Sequence, residues 1–144
     1  MTLTFEANVL VYAQDRTSEF HEIARTSLEV ELASGEPVFL FSGVIVAFMR
    51  VSTQAGVVPR VLEPVRAFEN IRALLALPHV ALGGPDEAFV DHLQSVVQES
   101  GVTGRRIHDA EIVALMRTHG VDRIVTVDRD FLRFEGITAT LLER

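Results

Sequence analysis

The pattern of apolar and polar positions along the 144 residues switches repeatedly between short apolar runs and longer helical stripes. Leu3 to Phe5 is a short apolar run. Phe20, Ile23, Ala24, Leu28 and Leu32 then recur at i, i+3, i+4 and i+8, the period of one helix face. PVFLF (37–41) predicts a second strand, and Ser42 is placed to cap the helix that begins SGVIVAFMRV. Residues 53–64, punctuated by Gly56, Pro59 and Pro64, read as a loop. Val65, Phe68, Ile71 and Leu75 predict a helix, HVALGG (79–84) a third strand, and Phe89, Leu93, Val96 and Val97 a further helix. Residues 102–120 predict a loop and then a helix that is apolar nearly all round, and therefore central. DRIVTVD (122–128) and ITATLLE (137–143) complete five strands, the last at an edge. Alternation of this kind predicts an α/β fold, a three-layer α/β/α arrangement around a mostly parallel sheet, with residues 1–144 as a single domain. Phe20, Phe68 and Phe89 are expected in the core, and Arg50 in a packed salt bridge.

Ligands of such sheets bind beyond the carboxyl ends of strands, near the point where strand order reverses. Three acids fall at such places: Glu6 after the first strand, Asp128 after RIVTV, and Asp109 in the first turn of the apolar helix. Any one of them could serve as a helix cap or dipole partner. Three together would repel, and one would take up a proton unless a cation were present. Mg²⁺ or Mn²⁺ suits such oxygen ligands.

Composition narrows the chemistry. No cysteine is present, so thiolate metal sites and disulfides are excluded, and no lysine is present, so all thirteen basic residues are arginine. Schiff-base catalysis, a phosphate-binding loop lysine and a response-regulator receiver are thereby excluded. A haloacid-dehalogenase-like phosphatase needs Asp-x-Asp at the first strand, where this chain has Glu6-Ala7-Asn8. The net charge of −7 provides no long-range attraction for nucleic acid, which would have to be held by local arginines or by metal. There is no secretory signal and no apolar run long enough to span a bilayer, so a cytoplasmic protein that does not engage membranes is expected.

FEANVLVYA (5–13), FMRVSTQ (48–54), GRRIHDAEIVALMRTHG (104–120) and IVTVDRDFLRF (124–134) together resemble the PIN-domain ribonucleases, in particular VapC-type toxins of type II toxin–antitoxin pairs. The resemblance covers essentially the whole chain. It implies a five-stranded parallel sheet and a Mg²⁺- or Mn²⁺-dependent endoribonuclease that cleaves RNA phosphodiesters with metal-activated water. Glu6, Asp109 and Asp128 would be catalytic, metal-facing carboxylates. Asp130 would be a further ligand, or the cap of the turn at Phe131. Asn8 would bind a ligand or metal-bound water, Thr126 would steady the acid loop, and Arg105 and Arg106 would contact RNA phosphates. The same resemblance implies a VapB-like antitoxin and a homodimer. The chain departs from the family pattern twice: Glu6 stands where Asp is usual, and Ala47 where a second acid is usual. One extra methylene displaces a carboxylate by about 1.5 Å, against a tolerance for productive geometry of about 0.5 Å. Weakened metal affinity and activity are therefore expected. The alternative is a catalytically impaired domain that binds an antitoxin or RNA.

Overall fold

A computed structural model describes residues 1–143. Five strands form one sheet in the order β3-β2-β1-β4-β5, where β1 is Leu3–Phe5, β2 Val38–Phe41, β3 Val80–Gly83, β4 Arg123–Thr126 and β5 Thr138–Leu141. Every pairing is parallel, with Leu3 opposite Val38 on one side and Arg123 on the other. Parallel neighbours need crossovers, and six helices supply them: α1 Ala7–Gln14, α2 His21–Ala33, α3 Ser42–Ser52, α4 Pro64–Leu75, α5 Phe89–Ser100 and α6 Ile107–His119. α1 packs on α2 and α3, α3 on α4, and α5 on α6.

The core lies on both sides of the sheet. Leu3, Phe5, Leu40, Phe41, Ile124 and Val125 from the strands are essentially inaccessible to solvent, and so are Phe48, Leu115 and Met116 from the helices. Burial of each such side chain contributes about 1.5–3 kcal/mol. α6 buries Ala110, Val113, Ala114, Leu115 and Met116, as its all-round apolar character predicts. It ends at Gly120, whose φ of 66° is left-handed backbone that glycine adopts without a Cβ clash.

Three local expectations are corrected. Ser42 is the first helical residue and makes no side-chain cap; the N-cap of α3 is Phe41, in extended backbone. Phe68 is exposed, because α4 turns Ala67 and Ile71 inward and leaves Val65 and Phe68 outside; Phe20 and Phe89 are half-buried at the edge of the core. Arg50 has no ion pair among the described residues and lies exposed along a groove.

The fold positions the site through its strand order. β2 and β3 extend from one side of β1, and β4 and β5 from the other, so the order reverses between β1 and β4. Glu6 and Asp128 follow the carboxyl ends of those two strands.

Candidate active site

Glu6 is the N-cap of α1, directly after β1, and only 9% of its surface is exposed. Its backbone N–H donates to the Val125 carbonyl (3.0 Å), which fixes it against β4. Both carboxylate oxygens are held. Asn8 Nδ2 donates to Oε1 (3.1 Å), and the fully buried Thr126 hydroxyl donates to Oε2 (2.5 Å). Thr126 Oγ1 also accepts from the Asp128 N–H (2.9 Å), so one hydroxyl ties Glu6 to the loop that carries Asp128. Asn8 therefore serves Glu6 itself.

Asp128 Oδ1 accepts from the Asp130 N–H (2.8 Å) and caps the short 3₁₀ turn Arg129–Arg133. The cap of this turn is thus Asp128 and not Asp130. Asp128 can cap because it stands immediately before the turn in extended backbone, the N-cap geometry. Its other oxygen is left to face the site.

The third element is the 3₁₀ turn Gly104–Arg106, which leads into α6. Gly104 adopts a φ of 61°, which lets the chain turn and present Arg105 outward and Arg106 inward. Arg106 Nη1 donates to Asp109 Oδ2 and to Asp128 Oδ2, both at 3.3 Å, and Nη2 pairs with Asp130. One guanidinium thus gathers three aspartates. Arg105 is exposed beside it, as is His108, which lines the groove.

The electrostatics follow from burial and like charge. Desolvation pushes the Glu6 carboxyl up to about 7; Asp128 and Asp109 add to the rise, while the Thr126 and Asn8 hydrogen bonds oppose it. Asp109 is raised for the same first reason, against the pull of Arg106. Burial thus favours the protonated form of Glu6, and the Arg106 cation offsets the charge of the aspartates.

The donor set, four carboxylates with no sulfur or imidazole, matches a hard divalent cation in kind. Among the described residues, however, no three acids or histidines are arranged to hold a metal ion. Three of the acids are grouped around Arg106 instead.

Beside the acids runs an open groove of about 530 Å³. Its walls include Glu6 and Asp109, with Val46, Ala47 and Arg50 from α3 and Glu111 from α6. Glu111 was not foreseen from the sequence. Its carboxylate lies over the first turn of α3 so closely that a Cβ on Gly43 would collide with it. Only the pairing of Gly43 with an acid two residues after Asp109 hints at this, and the contact spans α3 and α6.

Comparison with known proteins decides the family. Residues 4–137 match the PIN domain family. The chain belongs to the PIN-domain family. This PIN domain is 39% identical over 137 residues to Ribonuclease VapC48 of Mycobacterium tuberculosis, covering 95% of this chain and 94% of that protein. It is 33% identical over 132 residues to Ribonuclease VapC37 of the same organism, covering 92% and 91%. Among solved structures it is similar to VapBC2 from Rickettsia felis bound to a promoter DNA fragment, with a TM-score of 0.69, 15% identity and coverage of 99% and 100%. The PIN fold is therefore common to proteins of very different sequence.

Proposed function

We propose that this PIN domain is an endoribonuclease toxin of the VapC kind, hydrolysing RNA phosphodiesters at the Glu6–Asp109–Asp128 acid site. The observation that carries the reading is the meeting of Glu6, Asp109, Asp128 and Asp130 where the sheet order reverses, in a chain that aligns nearly end to end with proteins named ribonucleases. Glu6, Asp109, Asp128 and Asp130 would hold Mg²⁺ or Mn²⁺. When bound, such a cation supplies a water of lowered pKa and polarises a phosphoryl oxygen.

The chain's own groups have separable tasks. Thr126 and Asn8 fix both oxygens of Glu6 and set where its longer side chain points. With its carboxyl raised to about 7, Glu6 holds or releases a proton at Oε near neutrality. Asp128 keeps Oδ2 toward the site because Oδ1 is engaged in the turn. Arg105, exposed next to Arg106 in the chain, is available to meet a phosphate. Ala47 leaves the α3 side of the groove without a carboxylate, which supports weak cation affinity.

Purified protein with Mg²⁺ or Mn²⁺ should cleave structured RNA, and Asp109→Asn should abolish cleavage. Cleavage that survives this substitution unchanged would overturn the acid site as its source, and none by the unaltered protein would leave only a binding role. A VapB-like antitoxin is proposed as partner, supported by the likeness to VapBC complexes, together with a homodimer. Both can be read from the mass of the complex after co-expression with a VapB-like antitoxin.

A further inference from the structure

We propose that Arg106 is an internal counter-cation that competes with the divalent metal for the acid site, so that metal enters by displacing the guanidinium from Asp109 and Asp128. This rests on the proposed metal-binding reading of those acids.

The oxygens that Arg106 Nη1 engages, Oδ2 of Asp109 and Oδ2 of Asp128, face the site and are candidates for ligating a cation. A guanidinium nitrogen holds them at 3.3 Å, whereas Mg²⁺ needs its oxygens at about 2.0–2.1 Å in an octahedron. Both cannot occupy the same oxygens in these arrangements. With Arg106 between them, no three acids among the described residues are arranged to hold a metal ion.

The contact is also built to be reversible. Both Nη1 bonds are long for charged partners. The Arg106 side chain is 31% exposed, so it can swing out without opening the core. Arg106 is moreover the N-cap of α6, at the end of a helix where the peptide dipoles disfavour a cation. The three aspartates, and not the helix, therefore hold it inward. Glu6 takes no part in the pairing; its oxygens belong to Asn8 and Thr126.

Mn²⁺ binding, followed by the loss of the free-ion electron paramagnetic resonance signal without RNA, separates the possibilities. Arg106→Gln should tighten Mn²⁺ binding by at least about fivefold, the lower end of ordinary coupling between sites. Arg106→Lys keeps the charge but loses the fork that spans the aspartates, and should tighten binding less. The metal-free Arg106→Gln protein should melt lower than the unaltered one and gain more in melting temperature on adding Mg²⁺. Asp109→Asn should lose Mn²⁺ binding in both backgrounds. If Arg106→Gln and Arg106→Lys bind Mn²⁺ equally or more weakly while Asp109→Asn still loses it, the competition is refuted and the acid site stands. If Asp109→Asn binds as tightly as the unaltered protein, the acid site itself is refuted, and the competition with it. Should Arg106→Gln fail to fold, the Arg106→Lys comparison decides alone.

Discussion

At the scale of single residues, the site turns on Thr126 and Glu6. The Thr126 hydroxyl donates to one buried oxygen of Glu6 and accepts from the Asp128 N–H. Thr126→Val removes both contacts and strands a buried acceptor and a donor, which should cost about 1–3 kcal/mol in urea denaturation; Thr126→Ser, which keeps the hydroxyl, should cost much less. The sign of the pH effect follows from Glu6. Its folded-state value, about 7, lies above the ordinary carboxylate value. The folded state therefore binds the proton more tightly than the unfolded chain, and stability falls as pH rises from the ordinary carboxylate range through about 7. Without metal, Glu6→Gln should exceed the unaltered protein in stability at pH 8 by up to about 3 kcal/mol. That advantage should shrink by more than half at pH 5.5. Equal stabilities at pH 8 would mean that Glu6 is not strained by its charge. The acids themselves were legible in the sequence, since each stands at a strand end or a first helical turn. The role of Arg106 was not, because one side chain bridges residues 109, 128 and 130, and only the folded geometry brings those together.

At the scale of elements, the five strands were legible to within a residue or two, because short apolar runs bounded by Gly, Pro and polar residues leave few alternatives. What failed was rotation about helix axes. Of the predicted α4 stripe Val65, Phe68, Ile71 and Leu75, Ile71 is buried and Leu75 packs against the core, but Val65 and Phe68 face outward and Ala67 turns inward in their place. Adjacent positions differ by about 100° around a helix, and a small residue such as Ala67 gives a weak hydrophobic signal. One long-range tie was also invisible. Arg123, at the start of β4, pairs bidentately with Glu31 of α2, Nη1 to Oε1 at 2.8 Å and Nη2 to Oε2 at 2.6 Å. Both side chains are mostly buried, and the hydrogen bond from Arg123 holds the Glu31 carboxyl below its ordinary value. Its stabilisation is therefore present above the ordinary carboxylate range and is lost as pH falls through the depressed folded value. Glu31→Gln should cost about 1.5–3 kcal/mol at pH 7, the range for hydrogen bonds to charged groups. The difference from the unaltered protein should vanish in acid. A gap that persists once Glu31 is protonated in the folded state would assign the loss to packing and not to charge.

At the scale of the whole molecule, a chain of net charge −7 and pI near 5.2 must hold a polyanion if it cleaves RNA. Its acids converge on the site, so the surface field opposes the substrate and only local contacts can favour it. Arg106 is engaged by three aspartates, whereas Arg105, exposed next to it in the chain, and Arg50, exposed along the groove, have no ion pair among the described residues. Counterion release then predicts a weak salt dependence. With single-stranded RNA each neutralised phosphate contributes about −0.7 to the slope of log K against log salt, so two contacts give about −1.4. Fluorescence anisotropy with labelled RNA and the Asp109→Asn protein, which should bind without cutting, measures that slope directly. Arg105→Ala should flatten it by about 0.7 and weaken binding to unrelated sequences alike, as loss of a phosphate contact requires. A slope steeper than about −4 would require a basic footprint of six or so phosphates. Arg105 and Arg50 could not supply that, and the RNA would have to bind on another face of the molecule.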